Sequence, residues 1–283
     1  MTSKHTKLLN YMIGFCKSEP RWICPLGELK YKPAILEQSI SMKDGSRVTP
    51  DVIFESDKQR HILVCECKGG TTFDKGQIAR YQNLTASDLQ RWIRLHTKEI
   101  THDVCYVMFE SACRDTRSLP DTFPILTFSD YVRKHGKEFA QRSLEVKFSE
   151  AIYIGNCMPP LSYYRFSPED DKHEIVPYVL RAIASILSKN SRTHTEKGIL
   201  DYDRILRETH GMYELLSSKH KETLKSKIKT VVSELRSTYP TFKQFVEDKS
   251  PHLAKFATIC DHILEEERQI RRVTDYAEQS TSD

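Results

Sequence analysis

The sequence predicts an α/β domain over residues 1–150, a mixed sheet flanked by helices, followed by an all-α domain over residues 151–283. Three observations carry this expectation. Between residues 34 and 67, three apolar segments of strand length are separated by polar turns. From residue 74 a helical period sets in, and two further strand-like runs, "DVCYVMFE" and "FPILTF", follow it. Beyond the proline- and turn-rich stretch "NCMPPLSYYRFSPEDDKHE" the pattern becomes helical. A chain of 283 residues is long enough for two such domains.

The first element is an amphipathic helix around Leu8 to Phe15. Asn10 and Tyr11 interrupt its apolar patch and no small-residue cleavage site follows, so it does not read as a signal peptide. "EPRWICPLGELKYKP", punctuated by proline and glycine, leads into a strand over "AILEQSISM". Asp44-Gly45 marks a hairpin turn into "RVTPDVIF", and the polar "ESDKQR" separates that strand from "HILVCEC". The three are expected to form an antiparallel meander. After Gly69-Gly70 a helix starts near Asp74, with Ile78, Tyr81, Leu84, Leu89, Trp92 and Ile93 at helical spacing and a break around Thr85 to Asp88. Two strands come next, and Ser129-Asp130 reads as the N-cap of a helix over "DYVRKHGKEFAQRS". In the second domain "IVPYVLRAIASILSKN", "LDYDRILRETHGMYELL", "KHKETLKSKIKTVVSELRSTY" and "LAKFATICDHILEEERQIRR" each suit an amphipathic helix, and the polar end "VTDYAEQSTSD" reads as frayed.

Composition excludes some classes of function. With 39% hydrophobic and 29% charged residues, a mean hydropathy of −0.54 and no apolar run of membrane-spanning length, no membrane segment is expected. The eight cysteines form no C-x-x-C pair, so neither a zinc ribbon nor a disulfide framework has its spacing, and reduced thiols in a cytoplasm fit better. Cys65 and Cys67 alternate onto the face opposite Glu66, where they pack as small hydrophobes. A formal charge of +4 permits a polyanionic partner without requiring one.

The informative stretch is "TPDVIFESDKQRHILVCECKGG", residues 49–70. Period-two alternation puts Ile62, Val64, Glu66 and Lys68 on one face of a strand that otherwise reads as buried. A hairpin with the preceding strand would set Asp51 beside Glu66. Two adjoining carboxylates repel unless a cation lies between them, and hard oxygen ligands suit magnesium, with manganese as its substitute. Lys68 would supply positive charge and orient or help deprotonate a water. The same residues also admit plain roles: Asp51 shaping a turn after Pro50, Glu66 with Lys68 as an exposed salt bridge, Gln77 and Tyr81 as an ordinary helix face.

Pro50-Asp51 and Glu66-Cys67-Lys68, in that order and spacing, resemble the motif of the PD-(D/E)XK nuclease superfamily, and Gln77 with Tyr81 is similar to the Q-x-x-x-Y element of its RecB-like members. The resemblance implies a restriction-endonuclease-like fold over roughly residues 1–148. It implies that Asp51 and Glu66 ligate the metal with the backbone carbonyl of Cys67, that Lys68 positions or activates water, and that Gln77 and Tyr81 orient the lysine or the phosphate backbone. Hydrolysis of DNA would leave 5′-phosphate and 3′-hydroxyl ends. The family also tends to carry an acidic residue or histidine upstream, in or after the first helix; Glu19, Glu28 and Glu37 are the candidates here.

In the second domain Leu224, Ile228, Val231 and Leu235 line one helix face, with Lys221, Lys225 and Lys229 beside it at intervals of four. With the upstream "YDRILRETHG" this can form a helix-turn-helix or winged-helix unit whose lysines meet DNA phosphates; a solvated face or a partner-docking domain has the same pattern. The expectation is a magnesium-dependent deoxyribonuclease of a restriction, phage-defence or mobile-element system, with a protein partner on the helical domain and a homo-oligomer as a further option. The alternatives are an RNA-cleaving nuclease and a non-catalytic or partner-activated protein that uses the nuclease fold as a scaffold.

Overall fold

The computed structural model describes residues 3–70, 72–93, 99–113, 120–159, 163–193, 201–247 and 253–280. Its contacts divide the chain into one unit of Ser3–Tyr163 with Glu214–His220 and another of Tyr164–Tyr213 with Lys221–Asp283. The division falls near residue 163 rather than 150, because residues after 150 still complete the sheet.

In the first unit, α1 (Lys4–Gly14) opens at Ser3, whose hydroxyl accepts the Thr6 N–H at 3.2 Å. It buries Leu8, Leu9, Met12 and Ile13 and packs on the two central strands. The short α2 (Pro25–Glu28) follows, then β1 (Lys32–Leu36), β2 (Ile40–Ser41), β3 (Arg47–Val48), β4 (Val52–Ser56) and β5 (His61–Lys68). After α3 (Lys75–Asn83) and α4 (Ala86–Leu89) come β6 (Thr101–Phe109), β7 (Pro124–Phe128), β8 (Tyr131–Gly136), α5 (Arg142–Phe148) and β9 (Ile152–Tyr153). The seven-stranded sheet has the order β1-β4-β5-β6-β7-β8-β9. β5, β6 and β7 run parallel to one another and every other pair is antiparallel, so the sheet is mixed.

The expected meander is only half right. The segment "AILEQSISM" breaks at Glu37, a non-glycine residue with φ of +52°, and "RVTPDVIF" breaks at Pro50, which has no N–H to give a ladder. The pieces around Asp44-Gly45 therefore form their own two-stranded sheet, β2-β3, while β1 pairs with β4. At the turn Gly45 takes φ of +83° and Ser46 donates its N–H and hydroxyl to Asp44.

The helix expected over residues 130–143 is instead strand β8. Ser129 and Asp130 turn the chain back on β7, and Val132 is buried between exposed Tyr131 and half-buried Arg133. Pairing with β7 outweighs a helical tendency already weakened by Val132 and Gly136. The helix begins only at Arg142, where the Asp103 carboxylate accepts the N–H groups of Ala140 (2.9 Å) and Gln141 (3.0 Å). Asp103 also lies 3.2 Å from His61 Nε2, and Tyr31 meets His61 Nδ1 at 2.8 Å, a buried polar chain at the N-terminal end of β5. The break near Thr85 is a capping box between Thr85 and Asp88 that opens α4.

The sheet has a core on one face, where Ile62, Val64, Val104, Tyr106, Met108 and Ile125 meet Tyr81, Leu84 and Leu89 of α3 and α4. On the other face, Cys65, Cys67, Cys105, Val107 and Phe128 are buried, with the Tyr11 and Phe15 rings 5.4 and 5.7 Å from that of Phe128. All eight cysteines are unbridged, and Cys65 and Cys67 pack as the alternation predicts.

The second unit is helical: α6 (Lys172–Thr193), α7 (Tyr202–Thr209), α8 (Ser218–Thr238) from Lys221 onward, α9 (Pro240–Glu247) and α10 (Leu253–Ser280). Its core holds Ile183, Ile205, Leu206, Leu224, Ile228, Val231, Leu235 and Phe256. α9 went unread in the sequence, and α10 runs on to Ser280 through the segment expected to fray. Among its described residues there is no strand, hence no wing of a winged helix. No helix of the described residues is long and apolar enough to cross a membrane.

Candidate active site

The β4–β5 hairpin and the helix after β5 bring the motif residues together. β4 and β5 pair with Val52 opposite Cys65, so Asp51, one residue before β4, comes level with Glu66. Its carboxylate is fixed by main chain: the Cys67 N–H donates to Asp51 Oδ2 at 2.5 Å. Cys67 thus enters the site through its backbone.

Both oxygens of the buried Glu66 carboxylate are engaged. Oε1 accepts from Lys68 Nζ (3.0 Å) and Gln77 Nε2 (2.7 Å), and Oε2 from the Tyr81 hydroxyl (2.7 Å). Lys68 also donates to Gln77 Oε1 at 2.6 Å, so the ammonium is held between carboxylate and amide. Asp74 starts α3 by accepting the Gly76 N–H at 2.7 Å, and this sets Gln77 and Tyr81, one helical turn apart, over the end of β5. Burial and the charge of Asp51 push the Glu66 carboxyl above its ordinary range, against the pull of Lys68 and Tyr81. Burial and the same carboxylate push the Tyr81 phenol well up, which keeps it a donor.

Sequence reasoning missed His5. Its Nε2 lies 3.0 Å from Asp51 Oδ1. Burial pulls the imidazole down, but Asp51, through its charge and its hydrogen bond, with help from Glu37 and Glu66, raises it to about 9. Of the three upstream glutamates, Glu37 is the one brought here. Its N–H donates to the Asp51 carbonyl at 3.1 Å, and its own carbonyl accepts the Ser217 hydroxyl at 2.9 Å. Ligand atoms of His5, Glu37 and Asp51 all lie within 4.8 Å of one another. Glu28 pairs instead with Lys147, and Glu19 is exposed. No spacing rule links residue 5 to residue 51; the only signal for His5 was its place in the first helix.

One imidazole and two carboxylates are a donor set that suits a divalent cation of the manganese or magnesium kind, the nitrogen ligand favouring manganese. The residues present therefore fit the cation; Glu66, expected from the sequence as a ligand, is outside this trio, with both its oxygens hydrogen-bonded. In the helical unit the lysines are mostly committed. Lys225 bonds Glu222 at 2.5 Å and lies 3.6 Å from Asp203, Lys221 sits over the Tyr213 ring at 4.3 Å, and of the three Lys229 alone is exposed.

No curated protein and no solved structure matches the chain. Residues 4–164, which span α1 to the end of the sheet and hold every residue of this site, match the model of the MJECL32 domain. That is more than half of the sequence, and the chain belongs to the MJECL32 domain family.

Proposed function

We propose that the protein is a divalent-metal-dependent nuclease of the PD-(D/E)XK type that hydrolyses phosphodiester bonds in DNA. The observation that carries this reading is the closed hydrogen-bond set of Glu66, Lys68, Gln77 and Tyr81 beside Asp51. A scaffold has no use for an ammonium wedged between a buried carboxylate and an amide next to a second acid, since polar groups in a sheet core cost stability. The order β4-β5-β6-β7, an antiparallel pair followed by parallel strands, supports a restriction-endonuclease-like core.

In this reading His5, Glu37 and Asp51 would hold the cation, next to the hydrogen-bonded Glu66. The cation would supply positive charge to the phosphoryl oxygens and acidify a water. Asp51 is pre-set by the Cys67 N–H. Gln77 and Glu66 fix the Lys68 ammonium, which orients the attacking water and meets the negative charge that develops on the phosphoryl group. Tyr81 holds Glu66 ionised and in place. Lys229, exposed on the helical unit, remains available for a nucleic-acid phosphate.

The test is cleavage of plasmid, single-stranded DNA and RNA with magnesium, manganese or EDTA, by wild type, Asp51→Ala and Lys68→Ala. Metal-dependent cleavage of DNA, reduced at least about 100-fold in both variants, is the expected result; losing one preorganised electrostatic group costs about that much. Cleavage that survives both substitutions would overturn the site. Cleavage of RNA alone would move the substrate. No cleavage, with no thermal shift on adding manganese, would leave the scaffold reading in its place.

A further inference from the structure

β8 and β9 expose two large side chains side by side: Tyr131 is 39% exposed and Tyr153 49%. They are direct partners in the β8–β9 register, with ring centroids 5.4 Å apart and planes at 54°. The Arg133 guanidinium carbon lies 4.9 Å from the Tyr131 ring centre, and Glu110 holds that guanidinium at 3.4 Å. Arg133 and Tyr131 are two residues apart in one strand and so point to the same face.

The register carries that face back to the candidate site. Lys68 is level with Met108, Met108 with Thr127, and Thr127 with Arg133. Lys68 and Arg133 thus share one row and one face, three strand spacings or about 14 Å apart. Tyr131 and Tyr153 stand one row further toward the C-terminal ends of β5, β6 and β7.

We infer that Tyr131, Tyr153 and Arg133 form a stacking platform for the unpaired bases of a single-stranded nucleic acid whose backbone runs on to Lys68. The inference deepens the nuclease reading of that site and rests on it. Two exposed phenol rings with a guanidinium laid over one of them present flat faces to bases and a cation to phosphates. Such a platform accepts any sequence but not a duplex, whose bases are already stacked. A bracing role for the tyrosines as a cross-strand pair at the sheet edge is the competing account.

Fluorescence anisotropy with a labelled 20-nucleotide single strand and its duplex, in EDTA, separates the two. Wild type should prefer the single strand. Tyr131→Ala and Tyr153→Ala should each weaken that binding about tenfold, the usual scale for one stacked base, and Tyr153→Phe should stay within about twofold. Equal binding of both forms, or a Tyr131→Ala/Tyr153→Ala double variant that binds as wild type, overturns the inference. So does a loss of binding that merely follows a fall in Tm. Strand binding through the tyrosines in a chain that never cleaves would sink the nuclease reading and keep the platform. Cleavage indifferent to both tyrosines would do the reverse.

Discussion

The Tyr81 hydroxyl donates to Glu66 Oε2 at 2.7 Å, which joins α3 to β5 inside the core of the sheet. Tyr81→Phe removes one donor from a buried carboxylate and leaves the ring in place. Stability should fall by about 1.5–3 kcal/mol, the range for a hydrogen bond to a charged group, read from urea unfolding. The Glu66 carboxyl, already raised by burial and Asp51, should rise further. A Tyr81→Phe protein as stable as wild type would show that the phenol only fills space.

The cluster of His5, Glu37 and Asp51 predicts which upstream side chains hold a cation. Manganese at 100 times its dissociation constant should stabilise wild type by about 2.7 kcal/mol, visible as a rise in Tm. His5→Ala and Glu37→Ala should each lose most of that rise. Glu28→Ala should keep it, since Glu28 is engaged with Lys147. A rise lost in Glu28→Ala and kept in Glu37→Ala would reverse the assignment.

Asp103 predicts a dependence on acid. Burial raises its carboxyl, but the bonds from His61, Gln141 and Ala140 outweigh burial and hold it below the ordinary value. A folded-state value below the unfolded one contributes stability that is present above the unfolded value, near pH 3.8, and is lost as pH falls through the folded one. Asp103→Asn should lower Tm at neutral pH and flatten its decline between about pH 5 and 2. Parallel Tm–pH curves for the two proteins would refute the role.

Gly136 ends β8 with φ of +70°, and a Cβ there would sit 2.8 Å from the Phe123 carbonyl oxygen. Gly136→Ala combines a left-handed backbone cost of about 1–2 kcal/mol with a collision against main chain. Chemical denaturation should show a loss of at least that size.

The strands and motifs legible in the sequence were those whose signal is local. The alternation of Ile62, Val64, Glu66 and Lys68 and the Asp44-Gly45 turn are read within a few residues, and the structure keeps them. Gln77 and Tyr81 were legible too, since a spacing of four on a helix determines a shared face. What failed depended on distant partners. "YVRKHG" has no strong preference of its own, and its strand exists because β7 offers an edge. The break at Glu37 and the turn of His5 toward Asp51 come from folding together segments some 15 to 45 residues apart, which no local pattern records. α9 escaped because Phe242 and Phe245 meet Phe256 across a connection, and eight residues carry too little period to stand out.

The peptide N–H of Cys67 secures Asp51, while the thiol of the same residue is buried on the opposite side of the sheet, with its ionisation pushed well above the usual range by burial. One position therefore serves two masters through separate atoms. Swapping its side chain for another small apolar one should leave the acid where it is, and a thiol-directed reagent that silenced the protein would do so by prising apart hydrophobic layers, not by touching the chemistry.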